Sequence, residues 1–489
     1  MNRFDAISPL DYRYYGDNPE FFRRLQPYAS ESGNIQYLLK VELALIKKLV
    51  EWGACPHPAI VGEAERACQE ITPEEVYEEE KIVHHNIRAV VNCIRKRLRP
   101  EFRSYVHLFA TSADIMDTAS ALRFKELVRD VVLPDLIKLQ VVLIDLAKRY
   151  SDQVQIGRTH GQHAVPVTFG FSMALYVSRL GSRIQAIDTA QSNLRGMFSG
   201  AAGAFNALSL YTDDPASYEM ELLADLGLKP SDTSMSSQIV EPESLTDLAY
   251  AVVSAFSVLA NLADDMRNLI RSEIAEVLDK YSDQEVGSST MPHKMNPKNF
   301  ENVKSLWKEF MPRMTTVFMD QISEHQRDLT NSASGRFLPE LFTGFCYAIE
   351  RMSGALAKIE INPVKMQEHV DAGKHHVAAE PLYILLALAG HPNAYDIVMK
   401  LSREARRKGV KLLELAKQQA DLYSYFEQIK PEHQVILEDP ARYVGDASGR
   451  TQATCEYWEN ISDSIQRRLQ AEAQMSEKKN RNTAHLSMA

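Results

Sequence analysis

Residues 287–297 read GSSTMPHKMNP. Three hydroxyls (Ser288, Ser289, Thr290), an imidazole (His293), an ammonium (Lys294) and an amide (Asn296) are concentrated there, with Gly287 as a hinge. Pro292 and Pro297 oppose helix formation. A hydroxyl beside a cation, on a lid that closes over an anion and excludes water, is suited to removing a proton from carbon. Residues 157–166, GRTHGQHAVP, read as a second loop carrying His160 and His163. Imidazole titrates near neutral pH, so it suits protonation of a leaving group. The HxxH spacing is not the i, i+4 pair of a zinc helix and no acidic residue lies beside it, so no metal is expected.

Two further stretches concentrate small polar residues. In VHLFATSADIMDTA, Thr111 and Asp114 have the spacing of a capping box. The same helix start, with the Thr111 and Ser112 hydroxyls, also suits a carboxylate or phosphate. In HQRDLTNSASGR, Ser332 and Arg336 fall one turn apart on a helix and Arg327 precedes them, a combination that suits phosphate. Without the other motifs this would read as a solvated charged helix face.

The segments between these motifs must position them, and their apolar spacing is helical. In 121–150, Leu122, Leu127, Val131, Leu136, Leu139, Val142 and Leu146 recur at helical intervals around one break at Pro134. Similar runs cover 35–51, 171–195, 244–280, 300–323 and 338–360, and strand alternation is scarce. The expected fold is all-α: three helical domains (1–105, 106–361, 362–489), the middle one an elongated bundle carrying a lid at 283–300. Leu248–Ala263 is apolar all round but short of the ~20 residues that span a bilayer, so it reads as a buried bundle helix.

With 489 residues, 45% hydrophobic and 25% charged, a large core is available and disorder is expected only in the tail 475–489. The net charge of −10, with both signs interleaved, excludes a general nucleic-acid surface. An anionic ligand must then be held by a local cationic pocket. Five scattered cysteines without a CxxC fit reduced thiols in a cytoplasm. MNRFDAISPLDYRYYGD lacks the apolar core of a signal peptide.

The signature GSSxMPxKxNP is matched at every fixed position, and on it the chain resembles the fumarase/aspartase superfamily of lyases. Within it the likeness is to the adenylosuccinate lyases, bacterial type. It runs through SPLDYRYYGD, VHLFATSAD, GRTHGQHAVPVTFG, SSQIVEP, GSSTMPHKMNPKNFEN and HQRDLTNSASGR, and beyond about residue 361 only through AAEP and general helicity.

The resemblance implies elimination of fumarate from nucleotide succinyl-amines: adenylosuccinate, giving AMP, and succinylaminoimidazole carboxamide ribotide, giving its carboxamide. It implies Ser288 as base and His160 as acid oriented by Glu301, with Lys294 and His85 at the reaction centre. It further implies Arg13, Tyr14, Arg327, Ser332 and Arg336 around the phosphate, and Thr111, Ser112, Lys294 and Asn296 around the succinyl carboxylates. Asn86, Thr159, Gln238, Ser289 and Met291 complete the substrate contacts, with no cofactor, in a homotetramer whose sites are shared between subunits. Relatives often carry His-Asp where this chain has His85-Asn86, and Gly where it has Phe109. The alternatives are a lyase for another succinyl-amine, such as argininosuccinate, and a non-catalytic structural relative.

Overall fold

The computed structural model describes residues 5–280, 284–373 and 377–486. Residue 283, the expected start of the lid, lies outside them. The chain is 69% helical, in agreement with the all-α expectation. The helices that position the motifs are α1 (Glu31–Glu51), α2 (Asn86–Arg97), α3 (Ser112–Leu127), α4 (Leu133–Arg149), α5 (Phe169–Ser192), α6 (Glu243–Ile270), α7 (Lys298–Phe310), α8 (Ser332–Leu356), α9 (Pro363–Gly373) and α10 (Ala447–Leu486).

Pro134 does not break the chain's course, because it occupies the first turn of α4, where a missing N–H costs no helical hydrogen bond. A π-helical turn, Val128–Val132, joins α3 to α4. The run expected over 300–323 is divided at Pro312 into α7 and a short helix, Arg313–Met319. The run expected over 244–280 stops at Ile270. Helix α10 extends through the tail expected to lack order, as far as Leu486.

Helices α4, α5, α6, α7 and α8 pack on one another and α10 returns to lie against α4 and α5. One continuous core runs from Leu25 and Leu39 through Leu139, Leu180, Phe256 and Phe345 to Cys455 and Leu469. Leu382, Val398, Leu412, Leu422 and Leu437 form a separate small core. Helix α6 is 28 residues long and apolar enough to cross a membrane, yet 67% of its most apolar stretch is buried inside the protein. Its Leu248, Val252, Phe256 and Leu259 are inaccessible. Burial at about 25 cal/mol per Å² explains why such a helix seeks the bundle centre.

Four short strands form two antiparallel pairs among the described residues. Strands β1 (Val154–Thr159) and β2 (Gln162–Thr168) make a hairpin, and β3 (Val277–Asp279) pairs with β4 (Ile359–Ile361). The hairpin corrects the loop reading of GRTHGQHAVP. Thr159 pairs with Gln162, leaving a two-residue tip. His160 (φ 52°) and Gly161 (φ 73°) are both left-handed, as a type I′ turn requires.

Candidate active site

The signature stretch is irregular from Gly287 to Pro297, as expected, and α7 begins directly after Pro297. Its shape is set by a close backbone approach. A Cβ on Gly287 would lie 2.1 Å from the Lys294 carbonyl oxygen, and the Asn296 amide donates to the Gly287 carbonyl at 2.9 Å. Inside this closed turn the Ser288 Oγ accepts backbone N–H groups from Met291 (3.1 Å) and Thr290 (3.4 Å). Two donors aimed at one hydroxyl oxygen favour negative charge on it. Ser289, Met291 and Lys294 are exposed, and the Lys294 ammonium makes no ion pair among the described residues.

The geometry predicts that Gly287→Ala forces this turn open. We expect kcat to fall at least tenfold while the thermal midpoint moves by only a few degrees, because an exposed loop carries little of the core. Steady-state kinetics beside a calorimetric melt check it. An alanine variant with full kcat would show that the close approach is dispensable.

The other motifs form two neighbourhoods within the protomer. In the first, Thr111 caps α3 in a capping box with Asp114, whose carboxylate accepts the Thr111 N–H at 2.6 Å and the Gly200 N–H at 3.2 Å. Burial pushes the Asp114 carboxyl up to about 7, against the pull of those two N–H groups. Ser112 follows at the start of α3, half-buried. Asn86 donates to the Met116 sulfur at 3.4 Å, tying α2 to α3, while His85 caps α2 by accepting the Arg88 N–H on Nδ1 at 3.2 Å. The Gln238 N–H donates to the Gln326 carbonyl at 3.2 Å, placing Gln238 beside Arg327. Arg336 reaches back one turn to the Ser332 hydroxyl at 2.9 Å, the pairing expected from their spacing.

In the second neighbourhood, Arg13 is exposed on a π-helical turn, Leu10–Tyr14, and the Tyr14 ring meets Tyr347 edge-on at 5.1 Å. Tyr347 and Arg351 both donate to Asp17, and Arg351 also donates to Asn299 at 3.0 Å. Asn299 and the exposed Glu301 share the first turn of α7. The hairpin belongs to neither neighbourhood by any contact among the described residues; its Thr159 and His160 are exposed. Within the protomer the Ser288 hydroxyl and the His160 ring do not hydrogen-bond to each other.

Backbone strain gathers at these motifs. His84, His107, Phe109, His160, Ser234 and His325 all hold positive φ, each at a cost of roughly 1–3 kcal/mol, and such residues concentrate at functional sites. Phe109 holds φ 68°, a left-handed backbone that glycine adopts without strain. Its ring stacks on Tyr211 at 5.8 Å, which offsets part of the strain.

Two groups escaped the sequence reading. Asp117, Arg195, Asp320 and Asn331 line, together with the expected Arg327, a cavity of about 190 Å³. There Asp117 accepts the Val240 N–H at 3.1 Å, and burial, opposed by that bond and by the Arg327 charge, pushes its carboxyl up to about 6. The second group surrounds Glu276 behind the hairpin. Asp117 falls within VHLFATSADIMDTA and signalled itself only as one more helical acid.

A model of the lyase family matches residues 13–309, and a model described as adenylosuccinate lyase C-terminal matches residues 323–434. The second match extends the likeness well beyond the single AAEP tetrapeptide. Adenylosuccinate lyase of Pyrococcus abyssi is 34% identical over 91% of this chain and 99% of its own length. That of Bacillus subtilis is 27% identical over 81% and 90%. Among solved structures, a fumarate lyase from Mesorhizobium sp. BNC1 superimposes with a TM-score of 0.76 at 21% identity, covering 89% of this chain and 97% of its own. The 3-carboxy-cis,cis-muconate lactonizing enzyme of Pseudomonas putida gives 0.76 at 24%, covering 90% and 97%; these two establish likeness of fold. With one family model across most of the bundle, another beyond it and relatives matched nearly end to end, the chain belongs to the adenylosuccinate lyase family of the fumarase/aspartase superfamily.

Proposed function

We propose that the protein catalyses anti β-elimination of fumarate from adenylosuccinate, giving AMP, and from succinylaminoimidazole carboxamide ribotide, giving the carboxamide. The Ser288 alkoxide takes the proton from the succinyl carbon next to the carboxylate that delocalises the resulting charge. The C–N bond then breaks with its electron pair passing to nitrogen. His160, oriented by Glu301, gives that nitrogen a proton, so hydrogen leaves carbon and joins the amine in balance. What supports this reading most is the turn that aims two backbone N–H groups at the Ser288 oxygen, with Lys294 in the same loop to attract the succinyl carboxylate.

Thr111, Ser112 and Asn296 complete the carboxylate contacts, and Met291, Ser289, Thr159, Gln238, His85 and Asn86 line the reaction centre. Arg327, Ser332, Arg336, Arg13 and Tyr14 hold the nucleotide phosphate. Because these groups lie in separate neighbourhoods and are largely exposed, the working site is assembled between protomers of a homotetramer. The five buried, unpaired cysteines fit a cytoplasmic enzyme.

Phosphate recognition separates this substrate from unphosphorylated succinyl-amines. Charge-assisted hydrogen bonds contribute about 1.5–3 kcal/mol each, so removing the phosphate from adenylosuccinate should lower kcat/KM roughly 10- to 100-fold or more. Equal kcat/KM for nucleotide and nucleoside would move the substrate away from nucleotides.

A further inference from the structure

The carboxylate of Glu276 is fully buried at the junction of three segments. Gln155 of β1 donates to its Oε2 at 2.7 Å. Arg158 of β1 donates to Oε1 at 2.6 Å and to Oε2 at 3.2 Å, which is a bidentate pair. His369 of α9 approaches Oε1 at 2.6 Å through Nδ1. A carboxylate only accepts, so that Nδ1 carries the proton, and the 3.2 Å approach of Arg158 to the same nitrogen is a packing contact. Burial pushes the Glu276 carboxyl up, but the hydrogen bonds from Arg158, Gln155 and His369 outweigh it and hold the group below the usual carboxylate range.

The backbone of Glu276 is tied as firmly as its side chain. Its N–H donates to the Leu269 carbonyl in α6 at 3.0 Å, and its own carbonyl accepts the Asn362 N–H at 2.9 Å. The next residue, Val277, begins β3, the strand that leads into the segment carrying the signature turn. Arg158 lies in β1, two residues before His160 at the hairpin tip. His163, on the returning strand, packs its ring against His369 at 6.0 Å. The links from Glu276 therefore end on the hairpin, on α6, on α9 and on the strand pair at the root of the lid.

We propose that Glu276 is a positioning residue for the reaction: its buried carboxylate, through Arg158, Gln155 and His369, fixes the hairpin that carries His160 to the root of the signature loop. This rests on His160 being the proton donor. A strained two-residue tip, with His160 itself in the left-handed region, has few ways to hold its direction from within. The direction is supplied from behind, by a bidentate ion pair that allows little rotation of β1. A donor displaced by about 1 Å loses on the order of 100-fold in rate. The Glu276 carboxylate is fully buried and occupied by protein donors, so substrate binding is expected to be left alone.

The test uses the full-length enzyme with Glu276→Gln, Arg158→Met and Arg158→Lys, alongside His160→Asn as a control. The carboxamide of Glu276→Gln keeps the shape but turns an N–H group toward donors. We expect kcat to fall about 100-fold in Glu276→Gln and in Arg158→Met, and KM to stay within twofold. Hydrogen exchange should accelerate in peptides covering 154–168 and stay unchanged in the long helices. Arg158→Lys should recover part of the loss, because it restores charge without the fork. If Glu276→Gln does not fold, the two Arg158 variants decide alone. Full kcat in the variants, a raised KM with intact kcat, or lowered kcat with unchanged hairpin exchange would each overturn the inference. Wild-type protein that releases no fumarate overturns the proposed function instead, and an active His160→Asn overturns only the role given to His160.

Discussion

Ser288→Ala is expected to lower kcat by roughly 100- to 10,000-fold, the contribution typical of one positioned proton-transfer group, and to leave KM within about threefold. The oxygen is the only atom removed. It accepts two N–H groups within its own turn, and those N–H groups face solvent in the variant and can bond to water. The fold should therefore keep its thermal midpoint. Ser289, exposed beside it, serves as the internal control, and its alanine variant should lose far less. A Ser288→Ala enzyme that keeps more than a tenth of wild-type kcat would remove the hydroxyl from the role of base.

His160→Asn should lose a comparable factor for a different reason. Asparagine tolerates the left-handed backbone that this position demands, so the hairpin tip survives and the loss is chemical. An amide cannot deliver a proton to the departing nitrogen at neutral pH. The deficit should therefore shrink with a succinyl-amine whose amine leaves more readily without protonation, whereas the Ser288→Ala deficit should not. Steady-state rates on two such substrates make the comparison. If His160→Asn turns over within tenfold of wild type, another group supplies the proton.

The helical bundle was legible because long amphipathic runs leave a three- to four-residue period wherever one face is buried, and α6 announced its central place by being apolar all round. Boundaries were less legible at Pro134, where a first-turn proline continues the helical path, and at Pro312, where a proline divided a run that periodicity had joined. The signature turn was readable because glycine, proline and hydroxyl residues are costly in a helix and so mark a loop. The hairpin was not, since β1 and β2 are partly exposed at both faces near their tip and lack strand alternation; the adjacent His160-Gly161 pair was its one local signal. Glu276 could not be found in advance. Its partners lie 121, 118 and 93 residues away along the chain, and only the folded arrangement turns an ordinary glutamate in a charged run into a buried hub.

The most direct measurement mixes purified protein with adenylosuccinate and follows the ultraviolet spectrum while fumarate and AMP are separated and counted. Equal amounts of both products, formed by the wild type and lost in Ser288→Ala, are the expected result. An intact, correctly assembled protein that leaves adenylosuccinate untouched while cleaving argininosuccinate or another succinyl-amine would contradict it.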